Sequence, residues 1–332
     1  MKKISGVLSL VICSLGWSLA GIFIKYVTVN SFAIAGFRSL VAFFTIAALS
    51  KKFPRFVIRS KVSEKENTEV KTKPPVDKKR TLYLWISAVT YALTMIIFCI
   101  ANKLTYAANA VLLQYTFPIW VISFGPFLLR EKNTKVDYIT IGGVVIGMLL
   151  FFADTIFGTS SGEFAQTEVL GNILGFVSGI TFGLTTLFQR KQQIAAVEAG
   201  VEDSDANSSN DAFMIAQIIT AVFGISAGFA AGNGMPDVKS LIFLVLLGTV
   251  QMGLPNYMYA VGIKTVRALS ASLITMIEPL MNPVWVLIFV HEVPDIFCII
   301  GGLIIIGCVV LREVLGRKHS EKKNIDPSSI SL

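Results

Sequence analysis

Charge is scarce in this chain: Asp, Glu, Lys and Arg together make up 15% of its 332 residues, and only two histidines occur, His291 and His319. Soluble chains of this length carry more charge. With 54% hydrophobic residues and a mean hydropathy of +0.69, the composition is that of an integral membrane protein. Neither histidine stands in a metal-ligand motif. The four cysteines, Cys13, Cys99, Cys298 and Cys308, lie in apolar stretches without Cys-x-x-Cys or Cys-His spacing, so neither a zinc site nor a disulfide framework is indicated. Asp203-x-Asp205-x-Asn207 opens like a calcium loop, but Ser208 stands at the sixth position and Met214 at the twelfth, where such a loop needs Gly and Glu. Walker, dinucleotide-binding and His-Glu-x-x-His patterns are absent. No cofactor or metal is therefore expected, and the apolar stretches offer no convergent nucleophile and base for an enzyme. The formal charge of +8 does not point to nucleic acid, because the basic residues are dispersed between apolar segments.

What is present is a series of apolar stretches. About 20 residues span roughly 30 Å of hydrocarbon, and ten segments qualify, at about 4–25, 32–50, 82–101, 107–129, 136–153, 169–189, 212–231, 240–262, 268–290 and 295–315. The fold class expected is all-α integral membrane. Basic residues set the orientation. With the N-terminus in the cytoplasm, 25 of the 29 Lys and Arg fall on the cytoplasmic side, eleven of them in the loop 51–81 and five from Arg312 onward; only Lys25, Lys103 and Lys239 fall outside, and Arg38 lies within a span. Both termini, including a tail at 313–332, are thus expected in the cytoplasm of a multi-pass plasma-membrane protein.

A pattern recurs within these spans. Pro118 is followed by Glu131 and Pro279 by Glu292, each thirteen residues on, with the copies 161 positions apart. At the same offset Ala107-Ala108-Asn109-Ala110 faces Ala268-Leu269-Ser270-Ala271, and Lys103 faces Lys264. Gly142-Gly143 and Gly301-Gly302 follow the two glutamates. Five spans per copy is an odd number, so the second copy enters from the opposite side of the membrane. Glu131 is expected at the cytoplasmic face and Glu292 at the exterior.

On these residues, from Ala107 to Pro118 with Leu129-Arg130-Glu131 and from Ser270 to Ile277-Glu278-Pro279 with Glu292, the chain resembles the EamA group of the drug/metabolite transporter superfamily. The resemblance covers both halves, 4–153 and 169–312. It implies ten helices in two inverted five-helix repeats, a central cavity lined mainly by helices one to four and six to nine, and transport of small metabolites. Two departures stand out, the long basic loop 51–81 and His291, which precedes Glu292 where the family usually has a small or apolar residue.

Within the spans, Glu278 lies near the bilayer midplane, where a lipid-exposed carboxylate costs about 2.5–3.5 kcal/mol on insertion scales. It must face the bundle, as a proton or cation relay, as an anchor for a substrate amine, or as a locked structural acid. Arg38 is roughly 11 Å deep and Glu278 roughly 15 Å from the same surface, so the two are expected to pair unless a substrate carboxylate competes. Pro118 and Pro279 interrupt their helices, and irregular backbone at that depth belongs beside protein or a wet cavity. Gln114, Tyr115, Thr275 and Asn282 flank the prolines. With Gln251, Asn256, Tyr257, Trp17 and Tyr91 they are candidates for an aromatic, amide-lined substrate cavity; interhelical hydrogen bonding is the plainer role for any one of them. Glycines at every fourth position, Gly171 to Gly183, Gly224 to Gly232 and Gly143 with Gly147, predict close helix packing. Loop 51–81, with Pro74-Pro75 and mixed charge, is expected to be disordered and to lie against anionic lipid.

The resulting expectation is a secondary transporter working by alternating access on an amino acid, amine or related metabolite, with proton coupling left open. Its partners are a small molecule and the lipid bilayer; a homodimer is compatible with it. The rival is a membrane scaffold or sensor that transports nothing and binds lipid through its basic loop.

Overall fold

The computed structural model describes residues 5–19, 23–24, 26–59, 75–105, 107–131, 133–153, 167–200, 208–232, 235–290 and 296–325. These residues are almost entirely helical, and among them no strand forms beyond an isolated bridge between Arg59 and Val76. Glu292 and residues 60–74 of the basic loop lie outside the described residues. In chain order the helices are α1 Gly6–Trp17, α2 Ser31–Ser50, α3 Lys78–Leu104, α4 Ala107–Gln114, α5 Phe117–Leu129, α6 Lys135–Phe151, α7 Glu168–Glu198, α8 Ser208–Ala230, α9 Val238–Leu246, α10 Leu254–Gly262, α11 Ala268–Thr275, α12 Ile277–Val290 and α13 Ile296–Ile325. Among the described residues, six helical stretches are long and apolar enough to cross a membrane. Their outer surfaces are apolar: Phe127 is 86% exposed and Val222 64%, as a lipid-facing surface requires.

Local sequence starts the helices where polar caps stand. Ser5, Asn30, Asp77 and Asp237 accept backbone N–H bonds from Leu8, Ala33, Arg80 and Ser240, and Thr134 with Asp137 forms a reciprocal capping box on α6. Within the span expected over 4–25, a helix runs from Gly6 to Trp17, and Phe23 and Ile24 are again helical. At the end of α1 the Ser18 hydroxyl donates to the Leu15 carbonyl at 2.7 Å and accepts Trp285 Nε1 at 2.8 Å.

Three rods are interrupted. α4 and α5 part at Tyr115–Thr116, α11 and α12 part at Met276, and α9 passes through a π-helical stretch, Leu247–Gly253, into α10. Each interruption precedes a proline in the first turn of the next helix: Pro118, Pro279 and Pro255. The sequence suggested that Pro118 and Pro279 themselves break their rods. The break falls two or three residues earlier, and each proline sits where its missing N–H is least costly.

The helices pack in recurring pairs: α3 along α7, α1 along the widened α9–α10 rod, α2 along α8 and α6 along α13. The α4–α5 rod lies on α7, and α11 lies on α1. The glycine stripe of α7 lies along the broken α4–α5 rod. A methyl group at Gly179 would come within 2.8 Å of Thr116 Oγ1 and 2.9 Å of the Gln114 carbonyl oxygen, closer than any real side chain allows. The same holds where α2 crosses α8, since a methyl at Gly224 would stand 2.6 Å from the Gly36 nitrogen. These glycines let helices meet backbone to backbone.

The described ends of the basic loop are packed rather than disordered. Ile58 is buried, its N–H donates to Thr81 Oγ1 at 3.0 Å, and Arg55 Nε pairs with Asp211 Oδ2 at 2.9 Å.

Candidate functional site

The interruptions meet around a cavity enclosing about 590 Å³ of space, part of it open to the surroundings. The two helix breaks touch there. Tyr115, at the α4/α5 break, hydrogen-bonds through its hydroxyl to the carboxyl of Glu278, in the first turn of α12. A carboxylate at that position is also favoured by the amino-terminal end of the helix dipole. The backbone groups released by the breaks are answered locally: the Leu113 carbonyl accepts Thr116 Oγ1 at 2.7 Å, and the Ile274 carbonyl accepts the Ser14 hydroxyl at 3.3 Å.

Seven sequence-predicted candidates line this cavity: Trp17, Arg38, Tyr91, Gln114, Tyr115, Gln251 and Glu278. The remaining walls are Met95, Phe98, Phe182 and Met252. These four carry no polarity signal in the sequence, because an apolar side chain in an apolar helix looks the same whether it lines a cavity or faces lipid. Arg38 and Glu278 face the same space, but no hydrogen bond joins them and they interact only through it. This differs from the direct pair expected from their depth. Tyr115 has taken the place of the arginine beside the carboxyl, and Arg38 Nε is buried without a hydrogen-bond partner among the described residues.

The other candidates are placed elsewhere. Asn256 stands behind the cavity wall, where its Oδ1 accepts Trp17 Nε1 at 3.1 Å and the Tyr91 hydroxyl at 3.2 Å. It positions two of the aromatic walls. Thr275 bonds back to the Ala271 and Ser272 carbonyls of its own helix and does not line the cavity. Tyr257 is half-buried on α10 and is not among the lining residues, and the side chain of Asn282 lies outside the described residues. The π-helical stretch accounts for Gln251 and Met252. The wider turn lies against α2, with a methyl at Gly248 reaching within 2.8 Å of the Arg38 carbonyl oxygen, and it carries both side chains to the cavity. Such bulges recur at functional sites, and Pro255 within the apolar run was its one trace in the sequence.

Below the cavity, aromatic rings close the bundle. Trp17 stacks on Tyr259 with ring centroids 5.6 Å apart, and Phe213 packs edge-on to Tyr91 at 4.8 Å and to Tyr259 at 5.8 Å. Further along, a charged group joins the halves. Glu131 lies 3.4 Å from Arg190 and 3.5 Å from Arg267, and Asp137 lies 3.1 Å from Arg312 and 3.7 Å from Arg267. Arg190 also donates to the Ile263 and Lys264 carbonyls at 3.2 and 2.6 Å. Glu131, noted in the sequence only as part of the repeat, is thus a link between the halves.

A bundle of apolar, lipid-facing helices around a cavity with one acid and one base describes a membrane protein that handles a small molecule, and comparison with known proteins agrees. Residues 4–153 and 169–312 match the EamA-like transporter family. A Clostridium kluyveri protein named "Uncharacterized transporter" is 21% identical over 244 residues, covering 74% of this chain and 75% of its own. An Archaeoglobus fulgidus protein of the same name is 25% identical over 217 residues, 64% of this chain and 68% of its own. A protein of known crystal structure has the same fold, with a TM-score of 0.71 at 15% identity, over 94% of this chain and 98% of that one. The chain is a multi-pass membrane transporter and belongs to the EamA-like transporter family.

Proposed function

We propose that the chain is a secondary transporter of ten helices in two inverted five-helix repeats, moving an amino acid, amine or related metabolite by alternating access. The observation that carries the substrate class is the joint presence of Arg38 and Glu278, unbonded to each other, in a cavity walled by aromatic and methionine side chains. Arg38 suits a carboxylate, Glu278 an ammonium, and the rings an apolar side chain. The same carboxyl, exchanging its Tyr115 partner for a proton, is suited to proton coupling.

Two observations support the repeat. If each helix of the first half corresponds to the one five places on, the packing of α3 on α7 corresponds to that of the α9–α10 rod on α1, and the packing of the α4–α5 rod on α7 to that of α11 on α1. The asymmetry of basic residues supports cytoplasmic termini in the plasma membrane. On that orientation the ion-paired end carrying Glu131 and Arg312 is the cytoplasmic one, held shut while the cavity lies nearer the exterior. Binding and release then require the ion-paired end to part, the two-state rocking that inverted repeats permit.

Counterflow in proteoliposomes tests this reading. Vesicles preloaded with unlabelled amino acid should accumulate the labelled form transiently; a scaffold or sensor gives no accumulation. Single cysteines at Asn133 and Val293, in a background lacking the native four, should label from opposite faces. Labelling of both from one face refutes the inverted repeat.

A further inference from the structure

Beyond the aromatic layer, on the side away from Glu278, lies a group of buried amides that the cavity does not use. Gln189 and Gln192 on α7 are 0% exposed and Asn210 on α8 is 1% exposed. Neither the nitrogen nor the oxygen of any of the three amides has a hydrogen-bond partner among the described residues. Gln193 Nε2 donates to Ser209 Oγ at 2.8 Å, which sets the stretch of α7 that carries Gln189 and Gln192 against the first turn of α8, where Asn210 stands.

Their position along α7 follows from helical spacing. Phe182 lines the cavity, Thr186 bonds the Tyr259 hydroxyl of the aromatic layer at 2.8 Å, and Gln189 and Gln193 continue the same buried face one and two turns further on. One face of one helix therefore runs from the cavity, past the aromatic layer, into the amide group. Structural polar contacts elsewhere on α7 are satisfied: Thr185 donates to Thr90 Oγ1 at 2.9 Å, and Thr94 donates to Thr181 Oγ1 at 2.8 Å. Buried amides with both polar atoms unanswered are costly and unusual in native proteins, and three together mark a place built for a polar guest.

We infer that Gln189, Gln192 and Asn210 form a second substrate station, which takes the polar head of the solute after the Trp17–Tyr259 layer parts. The inference rests on the transport reading above. Its chemistry differs from that of the cavity. Amides offer both N–H donors and carbonyl acceptors, so they can hold either an ammonium or a carboxylate without a formal ion pair. A station that holds without ion pairing also releases readily, which passage requires.

The test uses the full chain in proteoliposomes, with labelled phenylalanine, methionine and putrescine as probes. The double variant Gln189→Leu/Asn210→Leu should fold at least as well as the parent, because apolar groups replace unpartnered amides. It should still be thermally stabilised by the probe that the parent transports, through the intact cavity, while counterflow falls tenfold or more. Counterflow at the parental rate overturns the station and leaves the transport reading standing. Absence of counterflow by the parent for all three probes overturns the transport reading for this solute class, and the station with it. Independently, Asn210→Cys in a background lacking the native cysteines should react with a membrane-impermeant thiol reagent from the face bearing the α8 amino terminus, and the transported probe should slow that reaction at least threefold. No reaction from either face in a chain that still counterflows, or a rate that the probe leaves unchanged, contradicts the inference.

Discussion

Two groups of charged side chains in this bundle are treated in opposite ways. At one end, Glu131 and Asp137 from the first half are matched against Arg190, Arg267 and Arg312 from the second, all within 3.7 Å, and Asp137 also caps α6. In the cavity, Arg38 and Glu278 share one space without bonding. Charges that are paired and capped hold elements in place, whereas charges kept apart at the cost of desolvation remain available to a ligand or proton. On the transport reading proposed above, the first group serves stability and closure, and the second binding and coupling.

The largest expected effect is at the paired end. Asp137→Asn leaves Arg312, 5% exposed, without its carboxylate, and loss of one partner of a buried pair costs about 3–5 kcal/mol. Thermal unfolding in detergent should show this loss, and adding Arg312→Met should recover part of it by removing the cation that Asp137 paired. If Asp137→Asn is neutral, the paired end is not the structural half of the contrast. Next is Tyr115→Phe, which removes the hydroxyl from Glu278. It should cost about 1.5 kcal/mol, at the lower end for a hydrogen bond to a charged group, and should reduce turnover more than it reduces expression. Thr94→Val removes the bond to Thr181 and should cost only about 0.6 kcal/mol, the average for interhelical bonds in a membrane, with transport unchanged. The smallest stability change is expected for Arg38→Gln, within about 0.5 kcal/mol, because no partner is stranded and a buried charge is removed. Substrate affinity, read by thermal stabilisation, should nevertheless fall. A large stability loss at Arg38 with unchanged affinity reverses its assignment.

Much of this was legible in the sequence, for reasons that differ by residue. Glu278 and Arg38 stood out because charge inside an apolar span needs an explanation, and both line the cavity. Trp17, Tyr91 and Gln114 followed from polarity within the spans. What polarity could not reveal was which group sits beside which. The partner of Glu278 proved to be Tyr115, brought there by two helix breaks that meet across the bundle. Asn256 was legible as polar but not as a support for Trp17 and Tyr91, since that depends on α10 packing against α1. Met95, Phe98 and Met252 carried no signal, because an apolar wall residue and a lipid-facing one look alike in a single sequence. The amides of α7 and α8 lay at or beyond the ends of the expected spans 169–189 and 212–231. Their burial arises because α7 continues to Glu198 and α8 begins at Ser208.

The most direct test is to compare the parent and Glu278→Gln in proteoliposomes, measuring pH-gradient-driven uptake and counterflow of the same amino acid side by side. The amide imitates a protonated carboxyl but cannot release a proton. If Glu278 couples transport to protons, gradient-driven uptake should be lost in the variant while counterflow continues. Uptake that remains fully driven by the gradient in Glu278→Gln would contradict the account.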